Sequence, residues 1–365
     1  MPLLIVVFSV LSQLWLLAGE NSFKNEIVVR TIENINSRAD VKRLLNLCRE
    51  YGVETLSVAF KQDEDDKIPS GTLFYPSKIA PVAKGYENDD LMAYLIAEAK
   101  KASIEVNAWV PQFHDQVAYN KKKEWRMVYY SGSKAEYHDK GGREFFVNPV
   151  HPGVQEYQLS IIEEIVKRYD IDGIVLDWVR FDGYNMDLSG YTRDLYRKRY
   201  GYDPIEIDFS KEGPRREEWN RFRSEVIADY IKRVSLKIES INPEVKLGVY
   251  ILSPEWKEVA QDPALFYPYI HSLYPMCYYD DWGYEPDWIY GSREDAIVPL
   301  VIKAAHGRRV VPVFDNDWDL NVYETLFENL DSAATIGWFD YGVWSKEDFE
   351  NIFFVTLIRF YSASR

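Results

Sequence analysis

The sequence contains few of the residues that build disulfides or metal sites, with 2 Cys and 5 His among 365 residues. Cys48 and Cys277 lie in apolar surroundings, on a predicted helix and a predicted strand, so we expect both to be buried thiols. No set of residues with metal-ligand spacing is visible elsewhere. The sequence therefore predicts a protein that needs neither a metal ion nor another cofactor.

Positive charge is also scarce: 43 Lys and Arg stand against 58 Asp and Glu, a net charge of −15. This balance argues against nucleic acid or an anionic membrane as the main partner. Aromatic residues, in contrast, make up 15% of the chain, with 11 Trp and 27 Tyr. Because sugar-binding clefts present flat aromatic faces to sugar rings, this content favours a carbohydrate ligand.

An apolar run from Leu3 to Ala18 precedes the rest of the chain. It is short for a membrane span and lies where a secretory signal lies. We predict a signal peptide over residues 1–19 and a secreted, periplasmic or cell-surface protein. An uncleaved N-terminal anchor is the alternative, because the residues near Ala18 fit a cleavage site imperfectly.

From Glu26 onward short apolar strands alternate with amphipathic stretches, as in repeated βα units. About eight strands are predicted, the number that a closed barrel requires: 27–32, 55–60, 105–111, 173–177, 246–252, 272–279, 310–314 and 335–339. The fold class is therefore α/β, a (β/α)8 TIM barrel that forms one domain over residues 20–365. The loops after strands three and four, near 114–152 and 182–217, are long enough to build a substrate site.

The fourth strand ends in the most informative residues of the chain. Gly173 to Leu176 is apolar and runs directly into Asp177. Strand alternation places Asp177 at the inner rim of the barrel, where catalytic groups of this fold lie. The same alternation predicts that Trp178 faces the helical layer, and it leaves Arg180 as a substrate contact or an ion-pair partner of Asp177.

Several segments resemble the glycosyl-hydrolase-like family 10 barrels. The matching pieces are Phe146 to Pro152, Tyr169 to Asp177, Trp219 to Arg223, and Tyr274 to Met276. The resemblance implies a (β/α)8 fold and glycosidase activity on an undefined sugar.

A weaker resemblance is to the family 18 chitinases, whose fourth strand carries an essential Glu. Val179 occupies that position here, and Val175 replaces the middle Asp. Other carboxylates must then do the chemistry, or the barrel binds sugar without cleaving it.

The partner of Asp177 is sought on strand six, where Asp280 and Asp281 follow Tyr278. This layout is similar to that of α-galactosidase-related enzymes, which use an Asp on strand four and another at strand six. Alternation favours Asp280 over Asp281, unless a turn reverses the order. Glu255, after strand five, is a further candidate, although a helix start at Ser-Pro-Glu explains it equally well.

Aromatic and polar residues near other strand ends are predicted to bind substrate. They are Trp109, His114, Arg180, Tyr278, Trp282, Asp315, Trp338 and Asp340. Core packing explains Trp109 equally well, and Trp338 is expected to form the pocket floor. The acidic run Asp63 to Asp66 is interpreted as a solvated loop.

The sequence thus predicts a metal-independent glycoside hydrolase that cleaves O-glycosidic bonds of an oligo- or polysaccharide. Asp177 is the nucleophile or stabilising carboxylate, and Asp280, Asp281 or Glu255 is the acid/base. The alternative is a non-catalytic carbohydrate-binding barrel related to chitinase-like lectins. The sugar, the stereochemistry and the oligomeric state stay open.

Overall fold

The computed structural model describes residues 24–291, 293–315, 323 and 335–362. For residues 357–362 it describes the helix only, not the burial of the side chains. The predicted signal peptide, residues 1–19, lies outside the described residues. No helix within the described ranges is long and apolar enough to cross a membrane.

A parallel sheet forms the centre of the fold. Its strands are β1 (Lys24–Val29), β2 (Val53–Ala59), β3 (Glu105–Pro111), β6 (Gly173–Asp177), β7 (Lys246–Ile251), β8 (Ser272–Pro275), β9 (Arg309–Val310), β10 (Val313–Asp315) and β11 (Thr335–Phe339). The strands β4 (Val128–Ser131) and β5 (Lys134–Tyr137) form a separate antiparallel hairpin. Three predicted strands, 105–111, 173–177 and 335–339, have the predicted bounds.

The sheet closes on itself through residues 309–315. Within this segment β9 pairs with β8, and β10 pairs with β11. The two residues between them continue the ladder: the Val311 amide donates to the carbonyl of Leu273 at 2.8 Å, and the Gly337 amide donates to the carbonyl of Pro312 at 2.8 Å. β9 and β10 therefore occupy one strand position of an eight-stranded barrel, which confirms the predicted fold class.

Helices alternate with the strands on the outside of the barrel. They are α1 (Thr31–Asn34), α2 (Arg38–Tyr51), α3 (Leu91–Lys101), α4 (Gln116–Lys121), α5 (Pro152–Arg168), α6 (Gly190–Tyr200), α7 (Pro214–Ile241), α8 (Pro263–Phe266), α9 (Asp287–Tyr290), α10 (Ile297–Ala304) and α11 (Lys346–Ser362). Apolar residues at helical spacing bury one face of α2, including Val41, Leu44 and Cys48. Cys48 and Cys277 are both buried free thiols, as predicted.

Three long connections cover the carboxyl ends of the strands. The loop after β3 contains α4 and the β4–β5 hairpin, and the loop after β6 contains α6. Both were predicted to be long. The third connection, residues 60–90 between β2 and α3, was not singled out from the sequence, and it carries the acidic run Asp63 to Asp66.

Candidate active site

A cavity of about 700 Å³ opens at the carboxyl ends of the barrel strands. Asp177 lies in its wall at the end of β6, with 5% of its surface exposed. The indole N–H of Trp109 donates to Asp177 Oδ2 at 3.1 Å, and the Trp178 amide donates to Oδ1 at 2.6 Å. Burial raises the pKa of Asp177 to about 6, although these donors and the charge of Arg180 oppose the shift.

Trp178 lines the cavity, so its predicted position in the helical layer is wrong. Its φ of 49° lies in the left-handed region, which costs a non-glycine residue roughly 1–2 kcal/mol. This turn breaks the strand alternation directly after Asp177. The Arg180 guanidinium stacks on the Trp178 ring at 4.0 Å from its centroid, and His114 packs at 4.7 Å between ring centroids. These contacts hold the indole in the cavity wall.

The acidic run in the loop after β2 is part of the cavity rather than a solvated loop. Arg30 binds Asp63 at 3.1 Å and Asp66 at 2.8 Å, and its side chain is buried. Asp63, Glu64 and Asp66 line the cavity. The sequence interpretation was wrong because it gave the run no buried cation, whereas Arg30 on the neighbouring β1 end supplies one.

His114 holds this acidic segment from behind the cavity wall. Its Nδ1–H donates to the carbonyl oxygen of Asp63 at 2.7 Å, and its Nε2 lies 3.2 Å from Asp65 Oδ2. Burial lowers the pKa of His114, but the bond to Asp65 and the charges of Glu64 and Asp65 outweigh it and raise the pKa above its usual value. His114 is fully buried and does not line the cavity, so we assign it a positioning role in place of the predicted ligand contact.

Glu64 is the residue that sequence reasoning missed. Burial raises the pKa of its carboxyl to about 7, and the charges of Asp63, Glu144 and Asp177 add to the shift, whereas His114 opposes it. Within the described residues, the carboxyl of Glu64 has no hydrogen-bond or ion-pair partner. An acidic run soon after a strand end, in a connection of about thirty residues, is the signal that could have identified it.

The opposite wall holds charges that are already paired. Asp182 accepts hydrogen bonds from His138 at 2.8 Å and Arg180 at 3.2 Å, and Lys140 lies 3.3 Å away. Burial raises the pKa of Asp182, but these three partners outweigh it and hold the pKa well below its usual range. Asp182 is therefore a structural anion that orients the two cations of this wall.

Aromatic side chains form the rest of the cavity. Tyr278 stacks on Phe339 with 5.6 Å between centroids, and Trp256 and Trp282 meet edge to face at 5.0 Å. Tyr250 also lines the cavity, and its hydroxyl is buried without a hydrogen-bond partner among the described residues.

The structure separates the predicted site residues into two groups. Those that line the cavity are Trp109, Asp177, Arg180, Tyr278, Asp281 and Trp282. Those that do not are His114, Glu255, Asp280, Asp315, Trp338 and Asp340.

Two predicted acids lie outside the cavity wall. Asp280 and Asp281 are both exposed, and Asp281 rather than the preferred Asp280 lines the cavity. Strand alternation does not extend to these residues because β8 ends at Pro275. Glu255 is exposed as well, and Glu258 lines the cavity instead.

The predicted pocket floor and the two predicted sugar-binding acids lie elsewhere too. Trp338 is fully buried and donates to Asn25 Oδ1 at 3.1 Å, so it packs away from the cavity, and its neighbour Phe339 lines it. Asp340 accepts the Gly342 amide at 2.6 Å and closes a turn. Asp315 ends β10, beyond the described cavity wall.

The amino-acid sequence matches a known protein family. The model of the family named glycosyl hydrolase-like 10 matches residues 29–312. The chain belongs to this family. The resemblance inferred from the sequence motifs is confirmed.

Two family relatives and one solved structure show the range of similarity. Glycosyl hydrolase DigH of Escherichia coli (strain K12) is 29% identical over 260 residues, covering 64% of this chain and 52% of DigH. Glycosyl hydrolase YngK of Bacillus subtilis (strain 168) is 23% identical over 235 residues, covering 61% of this chain and 41% of YngK. The chain thus spans about half the length of these relatives. The PgaB (BpsB) glycoside hydrolase domain from Bordetella bronchiseptica shares the fold, with a TM-score of 0.70 at 13% identity over 93% of this chain and 98% of that domain.

Proposed function

We propose that this family member is a glycoside hydrolase that cleaves O-glycosidic bonds of an oligo- or polysaccharide with Asp177 and Glu64. The observation that carries the proposal is a pair of carboxyl groups in one cavity with raised pKa values, about 6 for Asp177 and about 7 for Glu64. Glycoside hydrolysis uses one ionised and one protonated carboxyl, and different pKa values assign these roles.

Asp177 is the ionised member, acting as nucleophile or stabilising carboxylate. The N–H groups of Trp109 and Trp178 hold its two oxygens in place. Glu64 is the general acid that donates a proton to the glycosidic oxygen as the bond breaks. The negative charge on Asp177 helps to keep Glu64 protonated.

The remaining wall suits a sugar ring. The faces of Trp256 and Trp282 line the cavity and offer apolar contact to a sugar ring. The names of DigH and YngK as glycosyl hydrolases support hydrolysis as the reaction class. The proposed mechanism uses no metal ion, so dialysis against a chelator should leave the rate unchanged.

Replacing Asp177 by Asn tests the assignment. Activity is first sought over a panel of aryl glycosides and polysaccharides. On the substrate found, Asp177→Asn should lower kcat by at least about 10²-fold while glycan binding persists. The matched control is Asp280→Asn, the same change at an exposed position outside the cavity, which should retain the wild-type rate.

Unchanged turnover by the Asp177→Asn protein would remove Asp177 from the mechanism. If the wild-type protein binds glycans and cleaves none of the panel, the carbohydrate-binding barrel becomes the better description.

A further inference from the structure

We propose that the cavity selects a cationic saccharide, one whose sugar units carry free, protonated amino groups; this inference rests on the proposed glycosidase function. Its basis is that several carboxyls in the cavity wall form no ion pair, whereas the cations of the wall do. The carboxyls of Glu258 and Asp281 line the cavity, and neither has an ion-pair partner among the described residues. Glu64 has no such partner either, but as the protonated acid of the proposed mechanism it adds no charge. Asp177 adds a fourth carboxyl whose oxygens are held by N–H groups alone.

The cations of the wall already form ion pairs with wall carboxylates. Lys140 binds Glu144 at 2.8 Å and Asp182 at 3.3 Å. Arg180 binds Asp182 at 3.2 Å, and its Nε is buried out of a ligand's reach. A sugar carboxylate or sulfate would therefore compete with these ion pairs, whereas an ammonium group would meet carboxylates that form none.

The free carboxyls are spread around the cavity. Glu64 follows β2, Glu258 follows β7, and Asp281 follows β8, so each comes from a different loop. In the part of the chain that the structure describes, no group of three or more His, Cys, Asp or Glu side chains is arranged to hold a metal ion. Charges distributed in this way match an extended molecule with several positive groups better than a single ion.

Independent features of the same wall indicate that the cation is a sugar. The half-buried indoles of Trp256 and Trp282 line the same cavity as Glu258 and Asp281. Aromatic faces favour both the C–H faces of sugars and adjacent ammonium groups. A basic peptide has the charge but not the ring, so it serves as the competing ligand in the test.

The experiment compares three tetrasaccharides that share a β-1,4 backbone and differ only at carbon 2 of each unit. These are tetraglucosamine with amino groups, chitotetraose with acetamido groups, and cellotetraose with hydroxyl groups; tetralysine is the peptide probe. Titration calorimetry with the Asp177→Asn protein avoids turnover, and wild-type initial rates on the same compounds give a second measurement. At neutral to mildly acidic pH and low salt, tetraglucosamine should bind at least about tenfold more tightly than the other three, and added salt should reduce the difference.

Substitutions that neutralise one carboxyl at a time show which residues produce the preference for amino groups. Asp281→Asn and Glu258→Gln should each reduce the preference for tetraglucosamine by about threefold, the size expected of a partly exposed ion pair. The matched controls, Asp280→Asn and Glu255→Gln, make the same changes at exposed residues outside the cavity and should leave the preference unchanged.

Equal binding of the three tetrasaccharides, equal binding of tetralysine, or equal effects of the control variants would overturn the inference. If glycans are cleaved without a preference for amino groups, only this inference fails. If no glycan is bound or cleaved by the wild-type protein, the proposed function fails with it.

Discussion

Two cavity carboxyls, Asp177 and Glu64, differ in the groups that surround each one. Asp177 receives two N–H donors, which stabilise its anion against the cost of burial. Glu64 receives no donor to its carboxyl from the described residues, and the charge of His114 only partly opposes the rise in pKa that burial causes. The pKa values therefore separate in the order that acid and base roles require, about 6 below about 7.

Glu64→Gln tests the role of the acid through the leaving group. Without a proton donor, substrates with poor leaving groups should lose about 10²–10⁴-fold in kcat. Aryl glycosides with strongly electron-withdrawing leaving groups need little protonation, so their rates should fall far less. Steady-state kinetics on both substrate types give the comparison. Equal losses on both would show that Glu64 has a structural role, and Asp281 would become the next candidate.

The pH dependence of kcat follows from the same pair. The proposed mechanism requires Asp177 ionised and Glu64 protonated, so the rate should rise as pH passes about 6 and fall as pH passes about 7. The profile of the wild-type protein should be a narrow bell between these values. Glu64→Gln should remove the alkaline limb and keep the acid limb. A profile that stays flat through this range would contradict the assignment.

At the scale of elements, the loop after β2 depends on buried polar anchors. Lys61 Nζ lies 2.7 Å from Asp115 Oδ2 and donates to the Gln158 side chain and the Pro111 carbonyl, both at 2.7 Å. Gly71 packs against Asp115 so closely that a Cβ atom would lie 2.0 Å from its Oδ1, and its φ is +89°. These contacts fix one end of the loop while Arg30 and His114 fix the acidic segment.

Lys61→Met should therefore destabilise the whole fold. The substitution leaves the buried Asp115 carboxylate without its cation, which typically costs about 3–5 kcal/mol. Urea unfolding measures the loss. Adding Asp115→Asn should recover part of it, because the unpaired charge is removed. As a control, Arg38→Met breaks an exposed ion pair with Asp89 and should have a far smaller effect.

Strands could be predicted from the sequence where the pattern of apolar residues alone determines them. The strand 173–177 and its terminal Asp177 follow from an apolar run that ends in a charge. The orientation of side chains beyond the strand ends could not be predicted, because it depends on the local turns that follow each strand. The spacing of residues in the sequence does not reveal the left-handed turn at Trp178 or the end of β8 at Pro275, before Asp281.

Ion pairs between residues far apart in the sequence could not be predicted either. The acidic loop looked solvated because its partner Arg30 is 33 residues from Asp63 in sequence. The sequence predicted Asp177 at the mouth of the barrel, and the structure places it there, whereas Glu64 was recognised only from its tertiary surroundings.

At the scale of the whole molecule, a buried acid links strands across the barrel. Glu26 of β1 is fully buried and accepts hydrogen bonds from Ser57 of β2 at 2.5 Å, Asn107 of β3 at 3.3 Å and Tyr274 of β8 at 3.4 Å. These donors only partly offset the cost of burying its charge. Burial raises the pKa of Glu26 above its ordinary value of 4.5.

This raised pKa makes barrel stability depend on pH. The folded state favours the protonated acid, so the contribution of Glu26 is fully present below about pH 4.5 and is lost as pH rises through the higher pKa of the folded state. A Gln at this position keeps the shape of the protonated acid and cannot ionise. Glu26→Gln should therefore gain stability relative to wild type as pH rises from about 4.5 into the neutral range.

Urea unfolding of both proteins across this pH range measures the difference directly. Asp177 and Glu64 also have raised pKa values, but they are present in both proteins, so their contributions cancel in the comparison. The exposed substitution Glu255→Gln is the control and should show no such trend. A difference between Glu26→Gln and wild type that stays constant with pH would mean that Glu26 has the same pKa in the folded and unfolded chains. The hydrogen-bond donors around Glu26 would then stabilise its ionised and protonated forms equally.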